Sequence, residues 1–354
     1  MMNVTIRDVQ KLFEHRAQPC VSVYMSTDAV SPGGPADRMR LRNLLRDAAT
    51  RLARVHHAGA VEGLLGPVAE KVQRAWPPRG RGIALLRSPD LNVGFELPVE
   101  VPDVAVVAPT FHTKPLLSFL ERNQPFFVLA LGARSVRLLE GDADGLADVT
   151  EDAIPAGLAP EEAGSERDGR EGERRWYAAV DEAVSAFLAP TEAPLVLAGP
   201  HERRSLYRSV SGLSRILWAG VDAEVDGLDE DALHEHAWPI VCADQADAER
   251  HAAMHWLSFR GAGMATDVLS EVIEATAQGR VRLLLHREGT HLWGRMDPEL
   301  GSFVLRSGEA EREPGDSDLI DDLCELTLLK GGDVVEVAEE RMPTDVPVAA
   351  ILRY

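Results

Sequence analysis

Phe126-Phe127-Val128-Leu129-Ala130-Leu131 is the run on which the architecture turns. Six apolar residues in a row, with no polar alternation, read as a strand buried on both faces. Gly132-Ala133-Arg134-Ser135 then supplies turn chemistry, and Val136-Arg137-Leu138-Leu139-Glu140 reads as the hairpin partner. Downstream, Trp176, Val180, Ala183, Val184 and Phe187 follow helical spacing and predict a helix over 173–188. Pro194-Leu195-Val196-Leu197-Ala198-Gly199 is a second core strand, and helical pattern resumes after Pro200. Strand, strand, helix, strand, helix describes an α/β sandwich.

Between that hairpin and the first helix lies an acidic stretch. Residues 140–173 hold twelve acidic side chains against Arg167 and Arg170, together with glycines 145, 157, 164, 169 and 172. A gap of this length inside a compact domain is expected to be a functional or disordered loop. A second acidic stretch, 222–249, has ten carboxylates and no Lys or Arg. The N-terminal side is the opposite. From 38 to 87 there are eleven Lys or Arg against Asp47, Glu62 and Glu70. The whole chain carries a net charge of −20, which argues against non-specific nucleic-acid binding, yet the charge is strongly segregated.

Upstream of Phe126, Pro19-Cys20-Val21-Ser22-Val23-Tyr24-Met25 reads as a buried strand and Ser31-Pro32-Gly33-Gly34-Pro35 as a loop. A helix is predicted over 37–55, with Leu41, Leu44, Leu45, Ala48 and Leu52 at apolar spacing. Arg38, Arg42 and Arg46, four apart, then fall on one exposed stripe. Residues 83–86, 92–97 and 104–107 read as further strands, and Pro109, Pro115 and Pro125 punctuate the exit.

Downstream, Gly261-Ala262-Gly263 reads as a linker. A helix is expected over 266–277, then strands at 281–285 and 291–293 around the turn Arg287-Glu288-Gly289. Ser317 or Asp318 can cap a helix whose face is Leu319, Leu323 and Leu326, with Gly331 at its end. Strands at 334–337 and 348–352 complete a second α/β unit. The expected domains are 1–123, 124–250 and 251–354.

With 354 residues, 45% hydrophobic and 27% charged, the chain can bury real cores, and whole-chain disorder is excluded. No apolar run suits a membrane helix, and the N-terminus lacks the pattern of a secretory signal. Cys20, Cys242 and Cys324 are odd in number and far apart, which disfavours a disulfide framework or a cysteine zinc site and fits a cytoplasmic protein.

Chemistry-bearing motifs are few. His251 and His255 stand at i, i+4, but Ala252-Ala253-Met254 between them lacks a general base and no third ligand is evident. The pair is expected to be surface or core histidines. His234-Glu235-His236 is weaker still. Gly261-Ala262-Gly263 does not follow a strand, so it is no dinucleotide loop. No catalytic residue, metal ligand set or cofactor is expected. The positive signal is basic: Arg38, Arg42 and Arg46 on a helix, with Arg79 and Arg81 on a Pro/Gly loop. The guanidinium fork suits RNA phosphates, although a merely solvated helix face is an equal reading on charge pattern alone.

These residues also carry a resemblance. Pro19-Cys20-Val21-Ser22-Val23-Tyr24, Arg40-Leu41-Arg42-Asn43-Leu44-Leu45-Arg46 and Phe111-His112-Thr113-Lys114-Pro115-Leu116-Leu117 resemble bacterial members of the archaeo-eukaryotic release factor superfamily. So do Phe127-Val128-Leu129-Ala130-Leu131, Ala193-Pro194-Leu195-Val196-Leu197-Ala198-Gly199 and Leu233-His234-Glu235-His236-Ala237-Trp238-Pro239. Gly331-Gly332-Asp333-Val334, Arg341-Met342-Pro343 and Ala349-Ala350-Ile351-Leu352-Arg353-Tyr354 resemble the third domain of that group. The ordered set, rather than any one motif, carries the likeness.

The resemblance implies three α/β domains: an N-terminal domain, an RNase-H-like middle domain, and a C-terminal α/β/α domain like that of kink-turn-binding ribosomal proteins. It implies the ribosome as partner, through ribosomal RNA and proteins, and elongation factor Tu as a candidate partner, since relatives include release factors, Pelota and Balon. It also identifies the middle-domain loop with Gly164, Glu166, Gly169, Arg170 and Gly172. Release factors carry Gly-Gly-Gln there. Here the only Gly-Gly pairs are Gly33-Gly34 and Gly331-Gly332, and neither precedes Gln. The Asn-Ile-Lys-Ser motif of stop-codon reading is absent too. The expectation is a non-catalytic, ribosome-associated factor acting at or near the A site in stalling or hibernation, without peptide release. An RNA-directed hydrolase or nuclease, and a protein-interaction module outside translation, are the alternatives.

Overall fold

The computed structural model describes residues 4–15, 17–28, 30–73, 80–133, 135–155 and 169–354. They form two compact units, one built from 1–121 with 249–354 and the other from 122–248.

The first unit opens with α1 (Ile6–Glu14). Thr5 caps it by accepting from Asp8 N, while Asp8 reaches back to Thr5 N, a reciprocal capping box. β1 (Cys20–Ser26) follows, then α2 (Pro35–Leu52), whose Pro35 stands where a missing N–H costs no helical bond. Asp37 gathers the preceding loop, accepting from Asp28 N, Gly33 N and Arg40 Nη2. After α3 (Ala58–Gln73) come β2 (Gly82–Arg87), β3 (Asn92–Leu97) and β4 (Val104–Ala108), in an antiparallel sheet of order β3-β2-β1-β4. Side chains alternate across that sheet. Val21, Val23, Ile83 and Leu85 pack under Leu41, Leu45 and Leu52 of α2, each worth about 1.5–3 kcal/mol when fully buried. Tyr24, Ala84 and Leu86 face the other way, against Val9 and Phe13 of α1 and against Leu116 and Phe119 of α4 (Lys114–Arg122). The periodicity of α2 is thus as predicted. α1, α3 and α4 had no sequence expectation; Pro115, read as punctuation, sits in the first turn of α4, where proline is tolerated.

The second unit is a five-stranded mixed sheet. β5 (Phe126–Leu131) and β6 (Val136–Asp142) form the expected hairpin, with Val128 opposite Leu139. The described residues at the start of the acidic stretch are not loop: β6 runs to Asp142 and is followed by β7 (Gly145–Asp148) and α5 (Thr150–Ala153). A two-residue turn can close at Ala143-Asp144 because Asp144 N donates to Asp142 Oδ1 and Ala143 N to Asn123 Oδ1. α6 (Gly169–Leu188), β8 (Leu195–Ala198), α7 (His201–Val210) and β9 (Ile216–Val221) complete the order β7-β6-β5-β8-β9. β6 is antiparallel to β5, while β8 and β9 run parallel to it, the topology of an RNase-H-like domain. Trp176, Val180 and Val184 of α6 cover one face; Leu233, Ala237 and Val241 of α8 (Glu230–Gly261) cover the other.

The returning part of the first unit has a sheet of order β10-β16-β11-β15, from β10 (Ala265–Thr266), β11 (Val281–Arg287), β15 (Asp333–Val337) and β16 (Val348–Leu352). α9 (Leu269–Ala277) and α10 (Leu319–Leu329) pack on one face, and Ala252 and Trp256 of α8 on the other, giving α/β/α layers. The strand expected at 291–293 is displaced. β12 (Trp293–Met296) does not pair with β11; it pairs with β13 (Phe303–Leu305) and β14 (Ser317–Asp318). The reason is local: Leu292 N donates to Asp318 Oδ1 and Leu319 N to Leu292 O, which draws the segment towards the start of α10. Among the described residues, no helix is long and apolar enough to cross a membrane.

Candidate functional site

The basic face of α2 follows from its apolar face. With Leu41, Leu45, Ala48 and Leu52 buried, Arg42 and Arg46 are exposed and Arg38 half-buried along the opposite side. Among the described residues their only polar contacts are within the helix: Arg42 Nε donates to Arg38 O (3.2 Å) and Arg46 Nη1 to Asn43 Oδ1 (3.2 Å). None meets a carboxylate among the described residues. Their neighbours do. Arg40 bonds Asp37 and Asp103, and Arg51 bonds Asp47 and Glu309. Helix α2 therefore uses Arg40 and Arg51 to hold the fold and leaves three guanidinium groups for an external anion. Arg81 is also exposed, but Glu100 lies 2.6 Å away. Arg79 lies outside the described residues.

Of the expected middle-domain loop, Gly164 and Glu166 lie outside the described residues. Gly169, Arg170 and Gly172 do not belong to a loop: they form the first turn of α6, which starts four residues earlier than the apolar spacing predicts. Glu171 and Glu173 near that end favour helix through the macrodipole, an effect the apolar pattern does not register. His251 and His255 are exposed on α8. His234 stacks on Trp238 and reaches Asp142 O at 2.8 Å, a structural role.

A second constellation is buried in the first unit, around Phe111-His112-Thr113-Lys114. Asp321, in the first turn of α10, accepts from Thr113 N (2.9 Å), Lys114 N (2.5 Å) and Thr113 Oγ1 (3.1 Å). A carboxylate some 208 positions away thus caps the start of α4. Asp318, the N-cap of α10, bonds Ile320 N within its own helix and accepts from Lys114 Nζ (2.6 Å). It also lies 2.7 Å from His291 Nδ1. Burial alone would raise the Asp318 carboxyl, but Lys114 and His291 hold it far below the usual carboxylate range. Asp322 is the opposite case. Burial pushes it up to about 8; the Ser317 hydroxyl opposes this, while the charges of Asp321 and Asp318 reinforce it.

His112, His291 and Asp318 each offer one ligand atom, all within 4.8 Å of one another, so the trio has the makings of a metal site. Lys114 Nζ, however, already bonds Asp318 and sits 3.2 Å from His291 Nδ1. A metal ion could enter only if that ammonium withdrew. His112 is fully buried, with both ring nitrogens lacking hydrogen-bond partners; its Nδ1 stands 3.3 Å from Asp321 without the alignment of a bond. Sequence reading found the Asp318 cap but not this cluster. The available signal was a charged His-Thr-Lys triplet flanked by Phe111 and Leu116-Leu117.

With this geometry in view, comparison with known proteins is informative. Residues 125–280 match the family model described as Bacterial archaeo-eukaryotic release factor family 3. The match supports the resemblance to release-factor-like proteins that the sequence carries. Over that stretch, somewhat under half of the chain, it is similar to family 3 of the bacterial archaeo-eukaryotic release factors. Among solved structures it is similar to archaeal Pelota, in a model of ribosome-bound Pelota and ABCE1. That match has 13% identity, covers 100% of this chain and 95% of that one, and has a TM-score of 0.48. An archaeal translation termination factor, aRF1, is 18% identical over 98% of this chain and 96% of its own, with a TM-score of 0.27. Dom34 of S. cerevisiae is 12% identical over 75% and 74%, with a TM-score of 0.42. Identities and scores are low in these three matches, so the likeness to the family rests on 125–280. No curated protein matches the chain at a significant level.

Proposed function

We propose that this protein is a cytoplasmic, ribosome-associated translation factor that acts at or near the A site during stalling or hibernation and does not release peptide. The observation that carries the reading is the family match over 125–280. The unpaired arginine face of α2 supports contact with ribosomal RNA, because three guanidinium groups without carboxylate partners are what a phosphate backbone selects. The absence of Gly-Gly-Gln from the sequence supports a role without peptidyl-ester hydrolysis. In this reading 1–123, 124–250 and 251–354 act as three domains. The acidic residues before α6, repelled by RNA, face a basic protein surface on the ribosome or on elongation factor Tu.

The test is co-sedimentation through sucrose gradients with ribosomes from growing and from starved cells, at rising salt. The protein should travel with ribosomes, more so from starved cells, and salt should strip it steeply. The charge-reversed variant Arg38→Glu/Arg42→Glu/Arg46→Glu should stay at the top of the gradient with its fold intact by circular dichroism. Normal binding by that variant would sink the RNA contact. Absence of the wild-type protein from ribosomes in every condition would sink the ribosomal role.

A further inference from the structure

Arg87 is the last residue of β2, and strand alternation gives it the face of Ile83 and Leu85. That face is the core beneath α2 and α3. The guanidinium is carried inward with it, and the residue is only 8% exposed. Nε and Nη1 are buried without any hydrogen-bond partner, and no carboxylate among the described residues pairs with the group. Burial alone depresses its pKa. An unpaired buried cation costs several kcal/mol, and proteins rarely keep one without a use.

Arg87 is among the residues lining a cavity of about 490 Å³, and with Nε and Nη1 enclosed by protein, Nη2 is the donor left to face it. Leu52 of α2 and Val61, Leu64 and Pro67 of α3 form its apolar wall, and Ser88 and Asn92 lie near Arg87. The one carboxylate in the lining is already committed: Asp90 Oδ1 lies 3.2 Å from His15 Nε2 and accepts from Ser88 Oγ at 2.8 Å. The cavity therefore offers the Arg87 cation at one side and, apart from His56, hydrocarbon at the other. Its volume falls within the range of small-molecule sites, about 300–1,000 Å³.

We propose that this cavity binds a small organic monocarboxylate, with the carboxylate held by the Arg87 guanidinium through Nη2 and an apolar body against Leu52, Val61 and Leu64. A carboxylate accepts a charge-assisted hydrogen bond from Nη2 and supplies the single negative charge that the buried cation lacks. A phosphate dianion would bring two negative charges to a single cation beside Asp90, and a neutral ligand would leave the cation unpaired. The site is independent of the arginine face on α2 and of the ribosomal reading.

The experiment is thermal melting and calorimetric titration of the full chain with hexanoate and benzoate, with hexan-1-ol and inorganic phosphate as controls. At least one of the two acids should raise Tm in a saturable manner, and neither control should. Arg87→Lys keeps the charge but moves the donor away from the position of Nη2, and should weaken acid binding by about tenfold or more. Arg87→Met should abolish the acid-induced shift while leaving the unliganded Tm unchanged or higher, since it removes an unpaired buried charge. Three results would each overturn the proposal: no shift with either acid, an equal shift with hexanol or phosphate, or an acid shift that survives in Arg87→Met. A marked fall in the unliganded Tm of Arg87→Met would make the residue structural and equally overturn it.

Discussion

Lys114 Nζ lies 2.6 Å from Asp318 Oδ2, and both side chains are out of water, at 4% and 0% exposure. The first turn of α4 and the N-cap of α10 thus share one buried charge pair, extended by Thr290 O (2.5 Å) and His291. Breaking such a pair strands an uncompensated charge. Lys114→Met and Asp318→Asn should each cost about 3–5 kcal/mol, with the double variant costing clearly less than their sum. Urea denaturation of the four proteins of this cycle measures the coupling. Strict additivity would show that the two groups do not depend on each other.

Asp322 makes stability depend on pH in an uncommon direction. Its folded pKa is raised to about 8, by burial first and then by Asp321 and Asp318 against the opposing Ser317 bond, from an ordinary value of 3.8. Between those values the folded protein keeps a proton that the unfolded chain has lost. This group's contribution to stability is therefore full in acid and falls as pH rises towards 8, by about 1.4 kcal/mol per pH unit at most. Asp322→Asn should remove that slope, so the variant gains on wild type from pH 5 to pH 8. Melting curves across this range are the check, and parallel wild-type and variant profiles would contradict the assignment.

His286 titrates in the opposite sense and opposes the Asp322 contribution on the acid side. Burial, and then the charge of Lys114, lower it to about 3. Between about 3 and its ordinary value of 6.5 the unfolded chain binds a proton that the folded protein refuses, so stability rises with pH over that window. His286→Gln should flatten this acid limb while leaving the limb above pH 7 unchanged. An acid limb as steep in the variant as in the wild type would place its origin elsewhere.

What the sequence disclosed, and what it withheld, follows from range. Phe126–Leu131 and Leu195–Ala198 are legible because a doubly buried strand is apolar at every position. The Arg38, Arg42 and Arg46 stripe is legible because helical period is local, but its freedom from carboxylates is not: Arg40 differs from them only through Asp37 and Asp103, the latter 63 positions away. Lys114 and Asp321 are ordinary surface residues by type, and only a fold that joins positions some 207 apart turns them into a core network. Arg87 has the same history. It ends an apolar strand, and only α3, hidden behind Gly63, Gly66 and Pro67, shows that it points into a cavity.

The α2 arginines should act as separable phosphate contacts. Replacing one of them with Gln should reduce the slope of log affinity against log salt by about 0.7–0.9, and replacing all three by about two to three. Binding titrations with purified ribosomes at four salt concentrations give the slopes. Arg81→Gln should have a smaller effect, because Glu100 already neutralises that side chain. A slope unchanged in the triple variant would separate this helix from the phosphates, whatever happened to affinity.

The second unit has its own polar hub. Asp181 of α6 accepts from Tyr207 Oη (2.9 Å) and Ser211 Oγ (2.5 Å) through Oδ1, and from Gly212 N (3.0 Å) through Oδ2. Tyr207 is fully buried, and burial together with the Asp181 charge pushes its hydroxyl well above the ordinary tyrosine range. The carboxylate thus supplies the acceptor for the buried phenol and ties α6 to the end of α7. Asp181→Ala orphans the phenol, the Ser211 hydroxyl and the Gly212 amide together and should cost about 3 kcal/mol or more. Tyr207→Phe removes one donor, leaves the carboxylate two others, and should cost about 1–1.5 kcal/mol. The double variant should sit close to Asp181→Ala alone, because the phenol no longer exists to be stranded. Denaturant titration orders the three. If Tyr207→Phe proved as costly as Asp181→Ala, the Tyr207–Asp181 bond alone, rather than the three donors together, would carry the hub.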